Sequence, residues 1–276
     1  MPDLPPSLAS SPDEARLSAA LLAVRGAGAA LSAVRGRASR GKEVGDQLKT
    51  AVDRAAEGWV LGYLEGAFPG DHFLAEERFE ASGGEWSPPA EFWTVDALDG
   101  TRSFIDGFDG FCVQVAYLVN GAPVVSAIDE PAFGITWISA AGKGAFILRE
   151  GEFQRVPARA LNTYPVTPRF IDSTPPKGAV GAVLAKRNGQ HIEHGSIGSK
   201  AVRIATNEAD VFAKDLRFKL WDVAPADLIL RETGGQIGTW DGAPIPYTGT
   251  QVALRGLLAA PTGLFDLVVS DLAATV

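Results

Sequence analysis

Asp96 and Asp99, three residues apart, fall in the run Trp93-Thr94-Val95-Asp96-Ala97-Leu98-Asp99-Gly100-Thr101. The stretch before them is apolar and β-prone, and a Gly-Thr step follows at once. Crowding two carboxylates at the end of a strand costs free energy unless a cation sits between them. Oxygen-only ligation suits Mg2+ or Mn2+ and not zinc. Gly100 permits a tight turn, and the next residues predict a short helix over 101–105. Its first N–H groups would face the metal and offer a seat to a phosphate. Metal ligands beside an anion cradle point to phosphate ester chemistry.

Three more acidic positions bear on this pair. Glu76 ends a short strand twenty residues before Asp96. Asp222 follows Trp221 and begins a predicted helix that closes at Gly234-Gly235. Asp53 lies in the first turn of a helix predicted to start near Thr50. Singly, each has a plain reading: an Asp in a first turn is a cap or dipole partner, and Glu76-Glu77 is a solvated pair.

The elements that must position these groups divide the chain in two. Residues 1–10 are rich in Pro and Ser and predict a loose terminus. Ser11-Pro12-Asp13-Glu14 starts a helix, with Leu17, Leu21, Val24, Leu31 and Val34 at helical spacing. That pattern stops over 36–47, which reads as a mobile basic loop. The second helix carries Val52, Ala56, Val60 and Leu64 on one stripe and stops at Pro69-Gly70. Strands then follow at 73–74, 91–95, 111–119, 124–128 and 135–139, with Asn120-Gly121 as a hairpin turn. A Pro cluster over 157–178 marks a change of composition. Beyond it, strands (180–184, 211–213, 236–240, 257–260) alternate with helices (199–207, 222–233, 264–272). The reading is an α+β domain over 1–155 and an α/β domain over 156–276, without internal repeats.

Composition sets further bounds. With 276 residues and a 46 % apolar share, the chain can bury a full core. A net charge of −8 argues against nucleic acid as a partner. Cys112, the single cysteine, cannot form an internal disulfide and reads as core filler. No basic stretch followed by an apolar one opens the chain, and no segment reads as a membrane span, so a cytoplasmic protein without a membrane partner is expected. Gly26-Ala27-Gly28 lies inside a helix and lacks the third glycine of a dinucleotide loop. His191 and His194 have metal-ligand spacing but read as an exposed loop.

Four segments recur in a known order: Lys49-Thr50-Ala51-Val52-Asp53; Ala75-Glu76-Glu77; Asp96-Ala97-Leu98-Asp99-Gly100-Thr101 with Phe104 beyond; and Trp221-Asp222-Val223-Ala224-Pro225-Ala226 leading to Glu232-Thr233-Gly234-Gly235. Gly142-Lys143-Gly144-Ala145-Phe146 fits the same series. In them the chain resembles the inositol monophosphatase family of magnesium-dependent, lithium-sensitive phosphatases. The resemblance spans about residues 50 to 260. It departs at Ala97, where the family has Pro, at Pro225, where it has Ala, and at Asp227, near a usual Gly.

The resemblance implies a layered αβαβα sandwich of the inositol monophosphatase and fructose-1,6-bisphosphatase type, a homodimer, and two or three Mg2+ ions that Mn2+ can replace. Glu76, Asp96 and the Leu98 carbonyl would hold one ion, and Asp96, Asp99 and Asp222 a second. Thr101 and Asp53 would orient and deprotonate an attacking water, with Glu76 also at the reacting centre. Gly100 and Thr101 N–H groups would hold phosphate oxygens, and Ser199, Lys200 and Asp215 would contact the leaving group of a small phosphorylated substrate. An inositol-phosphate-like ester is expected. The alternative is the branch acting on 3'-phosphoadenosine 5'-phosphate, with Arg102, Lys200, Arg217 or Lys219 on the second phosphate. A non-catalytic regulatory member is the alternative of another class.

Overall fold

The computed structural model describes residues 3–35 and 42–275, the stretch 42–50 in its backbone course only. Pro6–Ala9 forms one helical turn, α1, whose Leu8 is fully buried, so part of the expected loose terminus is anchored. α2 spans Glu14–Val34 and buries Leu17, Leu21, Val24 and Leu31, as their spacing requires. α3 spans Lys42–Ala67, so the loop expected over 36–47 is helix from Lys42 on; 36–41 lie outside the described residues. Asp53 therefore sits about three turns into α3 rather than in its first turn.

Next come β1 (Phe73–Ala75), α4 (Glu76–Ala81), β2 (Glu91–Asp99), α5 (Thr101–Asp106), β3 (Cys112–Val119), β4 (Ala122–Glu130), β5 (Ile135–Ala140), β6 (Gly144–Arg149) and β7 (Glu152–Arg155). These strands form one seven-stranded sheet in chain order. β1 is parallel to β2, and each later neighbour is antiparallel. Asn120 (φ 49°) and Gly121 (φ 76°) both take positive φ, the two-residue turn that matches the twist of a hairpin.

The remaining elements are β8 (Arg169–Asp172), α6 (Gly178–Lys186), β9 (Gln190–Glu193), α7 (Ile197–Ala205), β10 (Phe212–Lys219), α8 (Leu220–Glu232), β11 (Gly235–Thr239), β12 (Ala253–Pro261) and α9 (Thr262–Ala273). β10, β12 and β11 form an antiparallel sheet, and the parallel pair β8–β9 joins its edge through the bridge Phe170↔Val211. Two expectations fail here. Residues 180–184 are helical, in α6, and the His191 segment is strand β9.

Side-chain alternation along the strands sorts the core into layers. Trp93, Val95, Val113 and Val115 pack with α2 and α3, whereas Phe92, Cys112, Ala116 and Leu118 pack with α8. On β12, Leu257 and Ala259 face the α8 side, while Leu258 and Ala260 pack with α6 and α9. The order is helices, sheet, helices, sheet, helices: the αβαβα sandwich. α8 lies between two sheets, which is why Leu220 to Leu230 is buried on every side except at Asp222. Pro225 sits in its second turn and cannot donate to the Trp221 carbonyl. Glu232, at the end of α8, accepts the Gly142 and Gly144 N–H groups at 2.7 and 2.8 Å and so pins the β5–β6 turn. The last residue of β7, Arg155, ends the first sheet, yet one core joins Leu74 and Trp137 to Trp221 and Leu257 across that point.

α2 has the length and, at a mean hydropathy of 1.6, the composition to cross a bilayer, contrary to the expectation that no segment does. Half of that stretch is buried in the fold, and α2 packs on α3, β3, β4 and β5. That is the behaviour of a core helix.

Candidate active site

A defect in β2 builds the site. Asp96 pairs with Gln114 and Asp99 with Cys112, so three steps along β2 match two along β3. Strict alternation would send Asp96 and Asp99 to opposite faces; the extra residue of this bulge returns Asp99 to the α8 side, where Asp96 already points. β1 brings Ala75 level with Val95, so Glu76 emerges beside Asp96. Asp222, at the third position of α8, reaches the same region from the other half of the chain. Its Oδ2 accepts the Lys219 N–H at 2.6 Å.

These four carboxylates feel one another. Burial first, then repulsion from Asp222 and other acids, pushes Glu76 up to about 8. Burial and then Asp99 push Asp222 up to about 7, against the pull of the Lys219 N–H. Asp96 is raised well above the carboxylate range by burial, Glu76, Asp99 and Asp222, opposed by the Leu98 N–H that its Oδ1 accepts at 3.1 Å. Among the described residues, the largest influences on Asp96 and Glu76 are burial and neighbouring acids, with no cation among them. The donor set is entirely hard oxygen, buried at Asp96 and Asp99, half-buried at Glu76 and Asp222, and over-negative, which fits Mg2+ or Mn2+. Among the described residues no three such groups already close on a common point. Like charges repel, and N–H groups hold Asp96, Asp99 and Asp222 each by one oxygen.

Gly100 has φ 88° and caps α5. A Cβ there would lie 2.6 Å from the Gly110 carbonyl oxygen, so only glycine fits. The Thr101 hydroxyl donates to the Leu98 carbonyl at 3.1 Å, joining two expected site groups. Asp53 is buried on α3, which packs against β2 and α5.

Three positions expected at the leaving group are otherwise engaged. Ser199 is fully buried, its hydroxyl held by Glu130 and by His194 Nε2 at 2.6 Å. Lys200 is buried over the Phe212 ring, and its ammonium shares Asp172 Oδ1 with Lys214 at 3.4 and 2.7 Å. Asp215 is exposed and forked by Arg255 at 2.6 and 3.0 Å. Nor is Lys219 idle: it reaches Glu80 at 3.4 Å and lies over Trp221. A cavity of about 780 Å3 opens beside α5, with Arg102, Ser103, Ser173, Thr174 and His194 in its wall.

Sequence reasoning missed Glu57, Gln114 and Ser196. Glu57, one turn after Asp53 on α3, accepts the Glu77 and Arg78 N–H groups at 2.7 and 2.9 Å and caps α4 in place of Ala75. Gln114 donates to Asp99 Oδ2 at 3.2 Å and to the Asp222 carbonyl at 3.4 Å. Ser196 donates to Asp99 Oδ2 at 2.6 Å. Gln114 stands in the apolar run 111–119, a signal that could have marked it; nothing in the sequence around Ser196 does so.

The model of the inositol monophosphatase family matches residues 13–274. Histidinol-phosphatase of Mycobacterium tuberculosis is 29 % identical over 226 residues, 76 % of this chain and 80 % of that protein. Inositol monophosphatase 2 of Solanum lycopersicum is 29 % identical over 213 residues, 75 % and 80 % of the two chains. The structure of inositol monophosphatase from Anabaena (Nostoc) sp. PCC 7120 superposes with a TM-score of 0.76 at 23 % identity, covering 96 % of this chain and 98 % of that one. With its sandwich, its bulged Asp96–Asp99 segment and a match along nearly its whole length, this chain belongs to the inositol monophosphatase family.

Proposed function

We propose that this protein is a Mg2+-dependent phosphomonoesterase that hydrolyses a small phosphate ester by direct attack of water. The observation that carries the reading is geometric: the β2 bulge turns Asp96 and Asp99 to one face, and Glu76 after β1 and Asp222 at the start of α8 come near enough to oppose their ionisation. Glu76, Asp96 and the Leu98 carbonyl would hold one Mg2+, and Asp96, Asp99 and Asp222 another. When bound, such ions acidify a water and neutralise the phosphoryl and leaving oxygens of an in-line displacement. Thr101, oriented by the Leu98 carbonyl, and Asp53 hold the attacking water and take its proton; Glu76 stands at the same centre. The Gly100–Thr101 N–H groups bind phosphate oxygens. A regulatory descendant without turnover has no use for five carboxylates and Thr101 in this arrangement, so the catalytic reading is preferred. The same reading has the protein working in the cytoplasm as a homodimer, with neither nucleic acid nor membrane as partner.

For the substrate, a polyol monophosphate such as an inositol phosphate is the first reading. In it Asp215 exchanges Arg255 for hydroxyl groups. A substrate with a second phosphate is the alternative, and one observation favours it: Lys200 and Lys214 share the single carboxylate of Asp172. Ser173, which Lys214 reaches at 3.3 Å, lines the cavity beside α5. The deciding experiment is phosphate release from inositol 1-phosphate, adenosine 3',5'-bisphosphate, fructose 1,6-bisphosphate and histidinol phosphate. A polyol preference lost in Asp215→Ala supports the first reading. A bisphosphate preference lost in Lys214→Met supports the alternative, and no release from any ester rejects both.

A further inference from the structure

Ser196 is the N-cap of α7 and takes φ 48° with ψ 144°. That conformation suits glycine and is costly for any residue with a Cβ. Gly195 and Gly198 flank it, so glycine is common in this segment, yet a serine stands at the strained position. The side chain must therefore return something that glycine could not.

Its hydroxyl is used to capacity. A serine has one proton to give and two lone pairs to receive. The proton goes to Asp99 Oδ2 at 2.6 Å. The Ser199 N–H occupies one lone pair at 3.1 Å. Cys112 Sγ lies 3.2 Å from this hydroxyl and 3.9 Å from Asp99 Oδ2; because the hydroxyl proton is committed to Asp99, the thiol gives its one proton to the nearer oxygen, that of Ser196. Ser196 has no capacity left for substrate or for nucleophilic attack. Gly198 N–H and Gln114 Nε2 reach the same Asp99 oxygen at 2.7 and 3.2 Å. Three donors, the Ser196 hydroxyl, the Gly198 N–H and Gln114 Nε2, thus converge on Oδ2, and among the described residues no hydrogen bond reaches Oδ1. A Cβ on Gly100 would lie 3.2 Å from Ser196 Cβ, so the serine also abuts the turn between Asp99 and Thr101.

We propose that Ser196 is a positioning residue: from the second half of the chain it fixes which oxygen of Asp99 is presented to the metal site, and strained backbone is retained to keep it there. The inference rests on the reading of Asp99 as a metal-holding group. Cys112 thereby becomes the outer donor of a relay, thiol to hydroxyl to carboxylate, in which each bond polarises the next.

The test sets stability against metal binding. Ser196→Gly relieves the strained φ and removes the hydroxyl. Its melting temperature in chelator should equal or exceed that of the unsubstituted protein. The Mg2+ concentration giving half-maximal activity, and the Mn2+ concentration giving half of the metal-induced thermal shift, should both rise about 10-fold or more, the scale of a lost hydrogen bond to a charged group. Ser196→Ala keeps the strain, so it should show the same metal defect with a lower melting temperature. Opposite signs of this kind do not arise from a merely structural serine. A Ser196→Gly protein that melts lower than the parent overturns the proposal, as does one that binds Mn2+ and turns over like the parent. If the parent itself shows no metal-dependent phosphate release and no Mn2+-induced shift, it is the functional reading that has failed.

Discussion

Asp96 is the residue on which burial and like charge converge most heavily. It is 2 % exposed, and Glu76, Asp99 and Asp222 all oppose its ionisation. Removing its charge therefore acts in two directions. Asp96→Asn should abolish phosphate release while raising the melting temperature in chelator at alkaline pH, where the native carboxyl would otherwise ionise beside Glu76, Asp99 and Asp222. Calorimetry beside a phosphate assay reads both, and wild-type rates in the variant would remove Asp96 from the site. Thr101 makes a contrasting case. Its hydroxyl touches the Leu98 carbonyl and, among the described residues, no carboxylate within hydrogen-bond reach. Thr101→Ala should lower kcat by about 10²-fold, the scale of a lost proton-handling group, and leave the Mg2+ midpoint nearly unchanged. A large shift in that midpoint with kcat intact would reverse the roles.

At the scale of elements, the site depends on ends and irregularities more than on regular structure. α4 has only six residues, and Ala75 before it cannot cap. Its second and third N–H groups are taken by Glu57 of α3, so α3 and α4 are tied one turn from Asp53 and one residue from Glu76. Glu57→Ala should cost about 1–2 kcal/mol in urea unfolding, the range for a lost cap, and raise the Mg2+ midpoint as Glu76 loosens. Unchanged unfolding would show that water replaces the carboxylate at no cost. The Asp96–Asp99 spacing stands out in the sequence, but the bulge that turns both side chains to one face does not: register appears only when β3 pairs. Residues 180–184 read as a strand because a short apolar run fits either period. Packing against α9 settles them as helix. Ser199 and Lys200 matched the resemblance by position, but contacts to Glu130 and Asp172, far away in sequence, decide where those side chains point. α8 was the most legible element, because a helix buried between two sheets is apolar all round and still begins with Asp222.

Over the whole molecule, buried acids dominate the response to pH. Glu76 at about 8, Asp222 at about 7 and Asp129, raised by burial to about 6, all lie above their unfolded values. A raised carboxyl binds its proton more tightly folded than unfolded. The stability it contributes is complete below the unfolded value near 4 and is lost as pH rises through the folded one. In chelator the protein should therefore melt lower at pH 8.5 than at pH 5.5. Mg2+ should restore much of the difference at the alkaline end, where the carboxylates are ionised and can bind it. A melting temperature that rises with pH in chelator would contradict the charge balance described here. The central claim, that these carboxylates make a metal-dependent phosphatase, meets its most direct test in phosphate release from the best ester of the panel, measured on metal-stripped protein as Mg2+ or Mn2+ is added back. Turnover should be absent in excess chelator, return with either ion, and not return in Asp96→Asn. Full turnover in chelator, on protein shown to be free of metal, would contradict it.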